Sequence, residues 1–480
     1  MRRIANFTAL ALILLVIFLV RVISLNYNSP FNDEAIYAVV GKMGLYYGDW
    51  ESMNPFSWVG GLPFLYPAIS AISYSLGGII LTRLISELFF IASLFFFWKI
   101  ALLLLNFKGK KINVFSLLSV IALGFSPTGY YVSGLATYDM PSFFFFVLGI
   151  YFLVLANKRV RRQGNHYFLS SLFFILAFYF KYIIGLFLPF LVVFSYLYLE
   201  SKKQRQFWLI YFLIPILTGI LGLLLMGFEE LKIFYQGQVE EIEKSSPVEI
   251  LEIFLKESGY TLVLFGLGSV GFFAKKKFKE WLVIALVPGL ILLVHLVNLR
   301  VPTLDKHVLF ASGAFSLIGG LGISFIYNLI GKSREARQDF RAVIVALLVI
   351  YCGLSIGNYQ EYHHRWKNAN KPLEQLKNLA GEGDVVLTNF GASVQLALLD
   401  KVYPTSVFTS DWISYEDFTG VEAAEKGVGD GYFRIIALDK SEDWISEESR
   451  ELGEVIVSNM DEVYSVVWED GGYEIYLREY

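Results

Sequence analysis

Residues 62–105 read LPFLYPAISAISYSLGGIILTRLISELFFIASLFFFWKIALLLL, and the number of times this stretch crosses a membrane decides the topology of everything after it. A hydrocarbon core of about 30 Å asks for about 20 apolar residues per crossing helix, and about 15 suffice in a thinned or kinked bundle. Residues 82–105 meet that demand, and so do segments near 7–25, 112–126, 140–157, 167–180, 182–199, 207–228, 259–274, 281–298, 308–330 and 341–357, eleven in all. Leu62 to Gly78 is apolar enough to be counted as well. Counting it inverts every later loop.

Charge resolves the ambiguity, because short loops rich in Lys and Arg stay in the cytoplasm. With the N-terminus inside, the cytoplasmic loops collect Arg2, Arg3, Lys108, Lys110, Lys111, Lys158, Arg159, Arg161, Arg162, Lys202, Lys203, Arg205, Lys275, Lys276, Lys277, Lys279, Lys332, Arg334, Arg337 and Arg341. Those 20 bases face four acids, while the opposite loops hold fourteen acids and seven bases. A crossing by 62–78 breaks this asymmetry, so that stretch is expected as a helix on the outer face, within a long first external loop, 26–81. The helix after Met1-Arg2-Arg3 is expected to be retained, since no small-residue cleavage site follows it.

The composition agrees with a lipid-solvated chain. Across 480 residues, 55% are hydrophobic and only 17% charged, which excludes a soluble, secreted or disordered protein. Aromatics reach 17%, suited to membrane interfaces. The single cysteine, Cys352, excludes a disulfide framework and a cysteine-based metal cluster.

The character changes abruptly after residue 357. Residues 358–480 carry 24 acids and ten bases, with β-like runs DVVLTN, RIIALD, VIVSN and YEIYLRE between Gly/Asp turns. The expected architecture is an all-α membrane bundle of about eleven crossings over 1–357, followed by a small extracytoplasmic α/β domain over 358–480. The acidic 229–257 loop has the spacing of an amphipathic surface helix. The net charge of −3 therefore hides a bipolar chain, and nothing in it speaks for nucleic acid.

Ionisable groups in or beside membrane helices are costly and mark candidate sites. On this topology they gather on the extracytoplasmic side: Asp33, Glu34 and Lys42 in the first loop, Arg83 and Asp139 at the outer starts of helices, Lys181 in a turn, and Arg300, Asp305, Lys306 and His307 before the tenth crossing. A carboxylate there can take the proton of an acceptor hydroxyl as it attacks a sugar carbon. Fixed cations can stabilise a departing phosphate. Nucleotide sugars are cytoplasmic, so a lipid-linked phosphosugar is the expected donor.

At these residues the chain resembles a known family. FNDEAIYAVVGK, LPFLYPAISAISYSLGG, LTRLISELFF and GLATYDMPSFFFF stand in the order found in membrane glycosyltransferases of the GT-C superfamily, in the clan of protein O-mannosyltransferases and lipid A aminoarabinose transferases. The similarity covers residues 7–200; beyond them, NLRVPTLDKHVLFA is similar to the family's late external motif. The resemblance implies a metal-independent, inverting transfer from a polyprenyl (dolichyl or undecaprenyl) monophosphate to a protein, glycan or lipid acceptor. It implies Asp33 as general base, Glu34 orienting the loop or acceptor, Asp139 and Lys42 positioning donor or acceptor, and Arg83, Lys181, Arg300, Lys306 and His307 as phosphate ligands. DKHVLFA departs from the Arg-Tyr pair common in relatives, and the C-terminal domain has no counterpart in much of the clan.

Each residue also has a structural reading. Asp33, Glu34 and Asp139 can cap helices, Arg83 can anchor in headgroups, Lys181 and Lys306 can snorkel, and His307 can hydrogen-bond at the interface. Arg21 reads as structural. His363 and His364, being adjacent, do not point to one metal on a regular element. The competing functions are a diphosphate-donor oligosaccharide transferase or ligase, a lipid or sugar transporter, and a scaffold. A transporter is expected to show repeats and midplane charges, which this sequence lacks. The expected location is the plasma membrane, with the N-terminus cytoplasmic.

Overall fold

The structure is a computed structural model, describing residues 2–479 apart from 53–55, 57–58, 106–113, 159–161, 240–243, 331–333, 358–360, 362–364, 410–412, 442–446 and 461–462. The basic residues Lys108, Lys110, Lys111, Arg159, Arg161 and Lys332, together with His363 and His364, lie outside the described residues. The chain divides into two compact units. One comprises Met1–Leu25, Val59–Leu65 and Arg83–Gln360; the other comprises Asn26–Trp58, Tyr66–Thr82 and Glu361–Tyr480.

The first unit is helical. All eleven segments expected to cross carry helix. By length and apolarity alone, six helices qualify as crossings among the described residues: Leu65–Leu104, Asp139–Lys158, Lys202–Leu225, Phe278–Asn298, Leu304–Leu329 and Glu335–Gly357. A seventh is the pair Phe115–Gly124 and Pro127–Ser133, bent by 57°. Phe7–Val22, Tyr182–Leu197 and Thr261–Ala274 are shorter apolar helices. At about 1.5 Å per residue the 40-residue helix is about twice as long as the hydrocarbon is thick. It is broken at Gly77 and at Gly78, where φ is 64° and ψ −161°, a conformation open to glycine. The break separates the expected surface helix from the expected crossing.

The Leu304–Leu329 helix is buried on nearly every side, so its polar first turn lies inside the unit. It packs against Thr261–Ala274 backbone to backbone. A Cβ on Gly271 would sit 2.0 Å from the Gly322 carbonyl oxygen, and one on Gly322 1.9 Å from that of Gly268. Lipid supplies no hydrophobic drive between helices, and small residues that let backbones touch take its place. Among its described residues, the acidic 229–257 region holds two helices: the end of Ile214–Val239, after an interruption at Gly227, and Pro247–Ser258.

The second unit is built on a five-stranded sheet. Its strands are β1 (Val386–Thr388), β2 (Val407–Phe408), β5 (Ile435–Asp439), β6 (Tyr464–Asp470) and β7 (Tyr473–Arg478), in the order β2-β1-β5-β7-β6. Between β2 and β5, β3 (Ser414–Tyr415) and β4 (Phe418–Thr419) form a separate ribbon. β2, β1 and β5 are parallel, with Leu387 opposite Ile436, and β7 and β6 join antiparallel. Successive residues feed opposite cores, as expected of strands covered on both faces. Val386, Ile435 and Ala437 pack with Leu373, Leu376 and Val394; Leu387, Ile436 and Leu438 pack with Ala423, Val428 and Ile456.

One expected strand is not a strand. VIVSN, 455–459, falls largely in the Glu447–Ser458 helix. Leu452 and Ile456, four residues apart, are the pair that faces the core, so the period is that of a helix. Five residues were too short a window to separate the two periods.

Candidate functional site

In the membrane unit, five of the expected site residues share one neighbourhood. Asp139 opens its helix, and Pro141 in the first turn costs nothing because amides there have no helical partner. Lys181 follows the Gln163–Phe180 helix in extended conformation, before the turn Tyr182–Leu186. The two side chains are 1% and 4% exposed residues that form a direct ion pair through Asp139 Oδ1. Thr137 Oγ1 donates to Asp139 Oδ2 at 2.7 Å, and the Lys181 ammonium lies 5.4 Å from the Tyr138 ring. Lys306 is buried within electrostatic reach of both partners. Burial pushes the Lys181 ammonium below the ordinary lysine range, and the Asp139 carboxylate works against that shift.

Close backbone packing holds this turn. Leu62 N–H donates to the Tyr179 carbonyl at 2.6 Å and Tyr182 N–H to that of Gly60 at 2.8 Å. Between them a Cβ on Gly61 would stand 2.2 Å from the Phe180 carbonyl oxygen, so only glycine fits. Phe178 and Tyr182, on either side of Lys181 in sequence, line an apolar pocket of about 230 Å³ with Ile220, Leu223, Leu224, Leu231 and Tyr235.

His307 lies in the same neighbourhood, facing Lys181, Lys306 and Arg300 electrostatically. His295 Nδ1 is 2.6 Å from the Arg300 carbonyl oxygen, and His295 Nε2 is 2.9 Å from His307 Nδ1. A carbonyl only accepts, so His295 carries its proton on Nδ1. With His295 neutral, Nε2 accepts from His307 Nδ1–H, which leaves His307 Nε2 as the acceptor. The reversal that brings these groups together contains Leu299 at φ 51° and Thr303 at φ 66°. Positive φ at a branched residue costs roughly 1–3 kcal/mol and persists where surrounding structure enforces it. His295, inside the apolar run LILLVHLVN, was not singled out by the sequence; its one signal was being an ionisable group in a crossing segment.

Two arginines face inward elsewhere in this unit. Arg83 is fully buried and donates to the Leu25 carbonyl oxygen at 2.9 Å, satisfying the chain just past the first helix. Arg21 donates to the carbonyls of Gly129 at 2.8 Å and Gly124 at 2.5 Å, and stands 3.6 Å from Glu87, whose Oε1 also accepts from Ser133 at 2.7 Å. Its guanidinium lies 4.4 Å from the Phe90 ring centroid. This supports the structural reading of Arg21.

The remaining expected residues belong to the second unit. Asp33 and Glu34 occupy the first turn of the Asn32–Tyr47 helix. Glu34 is fully buried and its Oε2 accepts the Phe31 N–H at 2.8 Å, tying the helix to the segment before it. Asp33 is half-buried beside it. Lys42 pairs with Asp400 at 3.4 Å and lies 5.3 Å from the Tyr74 ring.

These features define a class: a multi-pass helical membrane protein with a buried carboxylate–cation cluster at helix ends and a mixed α/β unit. Neither a protein-family model nor a curated protein matches the chain. Solved structures do. The apo form of ArnT from Cupriavidus metallidurans aligns with a TM-score of 0.66 at 12% identity over 98% of each chain, and the same protein bound to undecaprenyl phosphate with 0.61 at 12% over 97% of each. The archaeal oligosaccharyltransferase AglB from Archaeoglobus fulgidus, in complex with an inhibitory peptide and a dolichol-phosphate, aligns with 0.56 at 11%, over 90% of this chain and 69% of that one. The arabinofuranosyltransferase AftD from Mycobacteria aligns with 0.56 at 13%, over 98% of this chain and 40% of that one. At these identities the likeness is one of fold: the chain shares the fold of ArnT, AglB and AftD.

Proposed function

We propose that this protein transfers a sugar from a polyprenyl monophosphate to an acceptor hydroxyl outside the cytoplasm, inverting the anomeric carbon. The observation that carries the reading is the buried group Asp139–Lys181–Lys306, which concentrates cations on a turn whose Phe178 and Tyr182 line an apolar pocket. An amphiphile with an anionic head and an isoprenoid tail suits both. The undecaprenyl phosphate bound to ArnT and the dolichol-phosphate bound to AglB are lipids of that kind.

In this reading Lys181 and Lys306, with Arg300, neutralise the phosphate as it leaves, and His307 is a phosphate ligand only by resemblance. Asp139 holds the Lys181 ammonium in place. Arg83 is a further phosphate ligand only by resemblance. Asp33 takes the acceptor's proton as its oxygen attacks the anomeric carbon; the carbon–phosphate-oxygen bond breaks, and polyprenyl phosphate departs on the opposite face. Glu34 keeps the loop in register through Phe31, and Lys42 positions the same helix through Asp400. No step calls for a metal, so turnover is expected to survive EDTA. The loop charges support an N-terminus in the cytoplasm and a C-terminal unit on the other side, in this reading outside a plasma membrane.

Mass analysis of lipid-linked sugars and surface glycans in cells with and without the gene tests the proposal. Loss of the gene is expected to accumulate one polyprenyl-monophosphate sugar and to remove one residue from a glycan, lipid or protein. Accumulation of a diphosphate-linked oligosaccharide would instead indicate a ligase. For the chemistry itself, Asp33→Asn is expected to lower kcat by about 10²–10⁴-fold. Undiminished turnover removes Asp33 as the base.

A further inference from the structure

The C-terminal sheet has a topological switch point. From β1 the chain passes to β2 on one side and later returns to β5 on the other. Open α/β sheets take their ligands at the carboxyl ends of the strands at such a point. Here the protein itself fills it. Asn389, just past β1, accepts the Asp439 N–H at 2.7 Å and donates to the carbonyls of Asp439 at 2.9 Å and Ser449 at 3.1 Å, closing β1 onto the end of β5. The Asp439 carboxylate is taken by Lys367 at 2.7 Å and by Ser441. The first amide of the Ala392–Leu398 helix donates to Asn32 Oδ1 at 3.0 Å, and Asn32 is the neighbour of Asp33. Gly391, at φ 79°, passes so close that a Cβ there would stand 2.7 Å from the same oxygen.

More contacts grip this segment on both sides of Asp33. Before it, Trp366 donates its indole N–H to the Ser29 carbonyl at 3.1 Å and accepts Asn28 Nδ2 at 2.8 Å, with its ring 5.1 Å from Phe31 and 5.6 Å from Tyr27. Ala369 N–H donates to Ser29 Oγ at 3.0 Å. After it, Tyr47 donates to the Leu399 carbonyl at 3.2 Å and Tyr403 donates to Asp49 at 3.0 Å. Residues 366–403 thus hold residues 27–49 through backbone groups that fix position as well as attachment.

We propose that the C-terminal α/β domain is a clamp that sets the position of the Asp33 carboxylate, with Asn32 and Trp366 as positioning residues. This rests on the base role proposed for Asp33, and it gives the added domain a role in the reaction without a ligand of its own. A helix turn that bears a catalytic group must be held to within about 0.5 Å of the productive geometry. A misplacement of about 1 Å costs on the order of 10²-fold.

The test uses the full chain in nanodiscs, with a synthetic undecaprenyl monophosphate hexose or pentose that the unaltered protein turns over. Asn32→Ala and Trp366→Leu are expected to lower kcat by about 10- to 100-fold with little change in donor KM, and to speed hydrogen exchange of amides 26–40. Asn32→Asp, which keeps an oxygen for the Ala392 amide, is expected to recover most of both. Unaltered kcat in Asn32→Ala and Trp366→Leu overturns the clamp, whether or not exchange rises. Asp33→Asn run alongside separates the two claims. If it retains full turnover, the base role has failed; if it is inactive while Asn32→Ala is as fast as the unaltered chain, only the clamp has.

Discussion

A lysine buried against an aspartate responds differently to the loss of its charge and to the loss of the pair. Lys181→Gln leaves Asp139 buried without its direct ion-pair partner, which costs up to about 3–5 kcal/mol. Asp139→Asn combined with Lys181→Gln removes both charges and is expected to recover most of that stability in detergent melts. Turnover is not expected to return with it, since an electrostatic donor of this kind is worth about 10²–10³ in kcat. A double variant with full activity would show that Lys181 serves folding alone. Arg21 offers the opposite case. It is as buried as Lys181, but its partners are Glu87, Ser133 and the carbonyls of Gly124 and Gly129. Arg21→Met is expected to lower stability by about 3–5 kcal/mol, and the fraction of protein that remains folded should turn over normally. At this scale the sequence exposed Asp139, Lys181 and Arg21, missed Glu87 and His295, and left the pairings open. Lys181 and Arg21 look alike as letters, and their partners are 42 and 66 positions away.

Elements meet in this protein where side chains are absent. The contact of Gly271 with Gly322 leaves no room for a methyl group, so Gly271→Ala must push the helices apart and is expected to cost about 1–3 kcal/mol, read as a lower midpoint of thermal unfolding. Gly266, where a Cβ would meet nothing, is the control, and Gly266→Ala should leave the midpoint where it was. The strained reversal before the Leu304–Leu329 helix answers to backbone rather than packing. Thr303→Gly relieves a positive φ and is expected to be neutral or stabilising by up to about 1 kcal/mol, whereas Thr303→Val is expected to destabilise. Element boundaries were legible wherever glycine interrupts an apolar run, as at Gly77 and Gly78. They were misread at VIVSN, because a run of five apolar and polar residues satisfies both periods until its neighbours supply a core face.

For the molecule as a whole, the loop charges predict which segments face which compartment. In cells carrying Cys352→Ser, a cysteine introduced as Lys276→Cys is expected to stay unlabelled by an impermeant maleimide until the cells are opened. One introduced as Lys371→Cys should label in intact cells. The reverse pattern would invert the topology and put the cation cluster on the wrong side for a lipid-linked donor. The sequence by itself determined the membrane class, the positions of the helical segments and the change to strand-bearing sequence after residue 357, because lipid solvation acts on composition and short-range order. Only tertiary structure decided that Asp139 meets Lys181, that His295 bonds His307, and that residues 366–403 hydrogen-bond the segment around Asp33. Those contacts join residues far apart in the chain, and a hydrogen bond between distant residues leaves no periodicity for a sequence to carry.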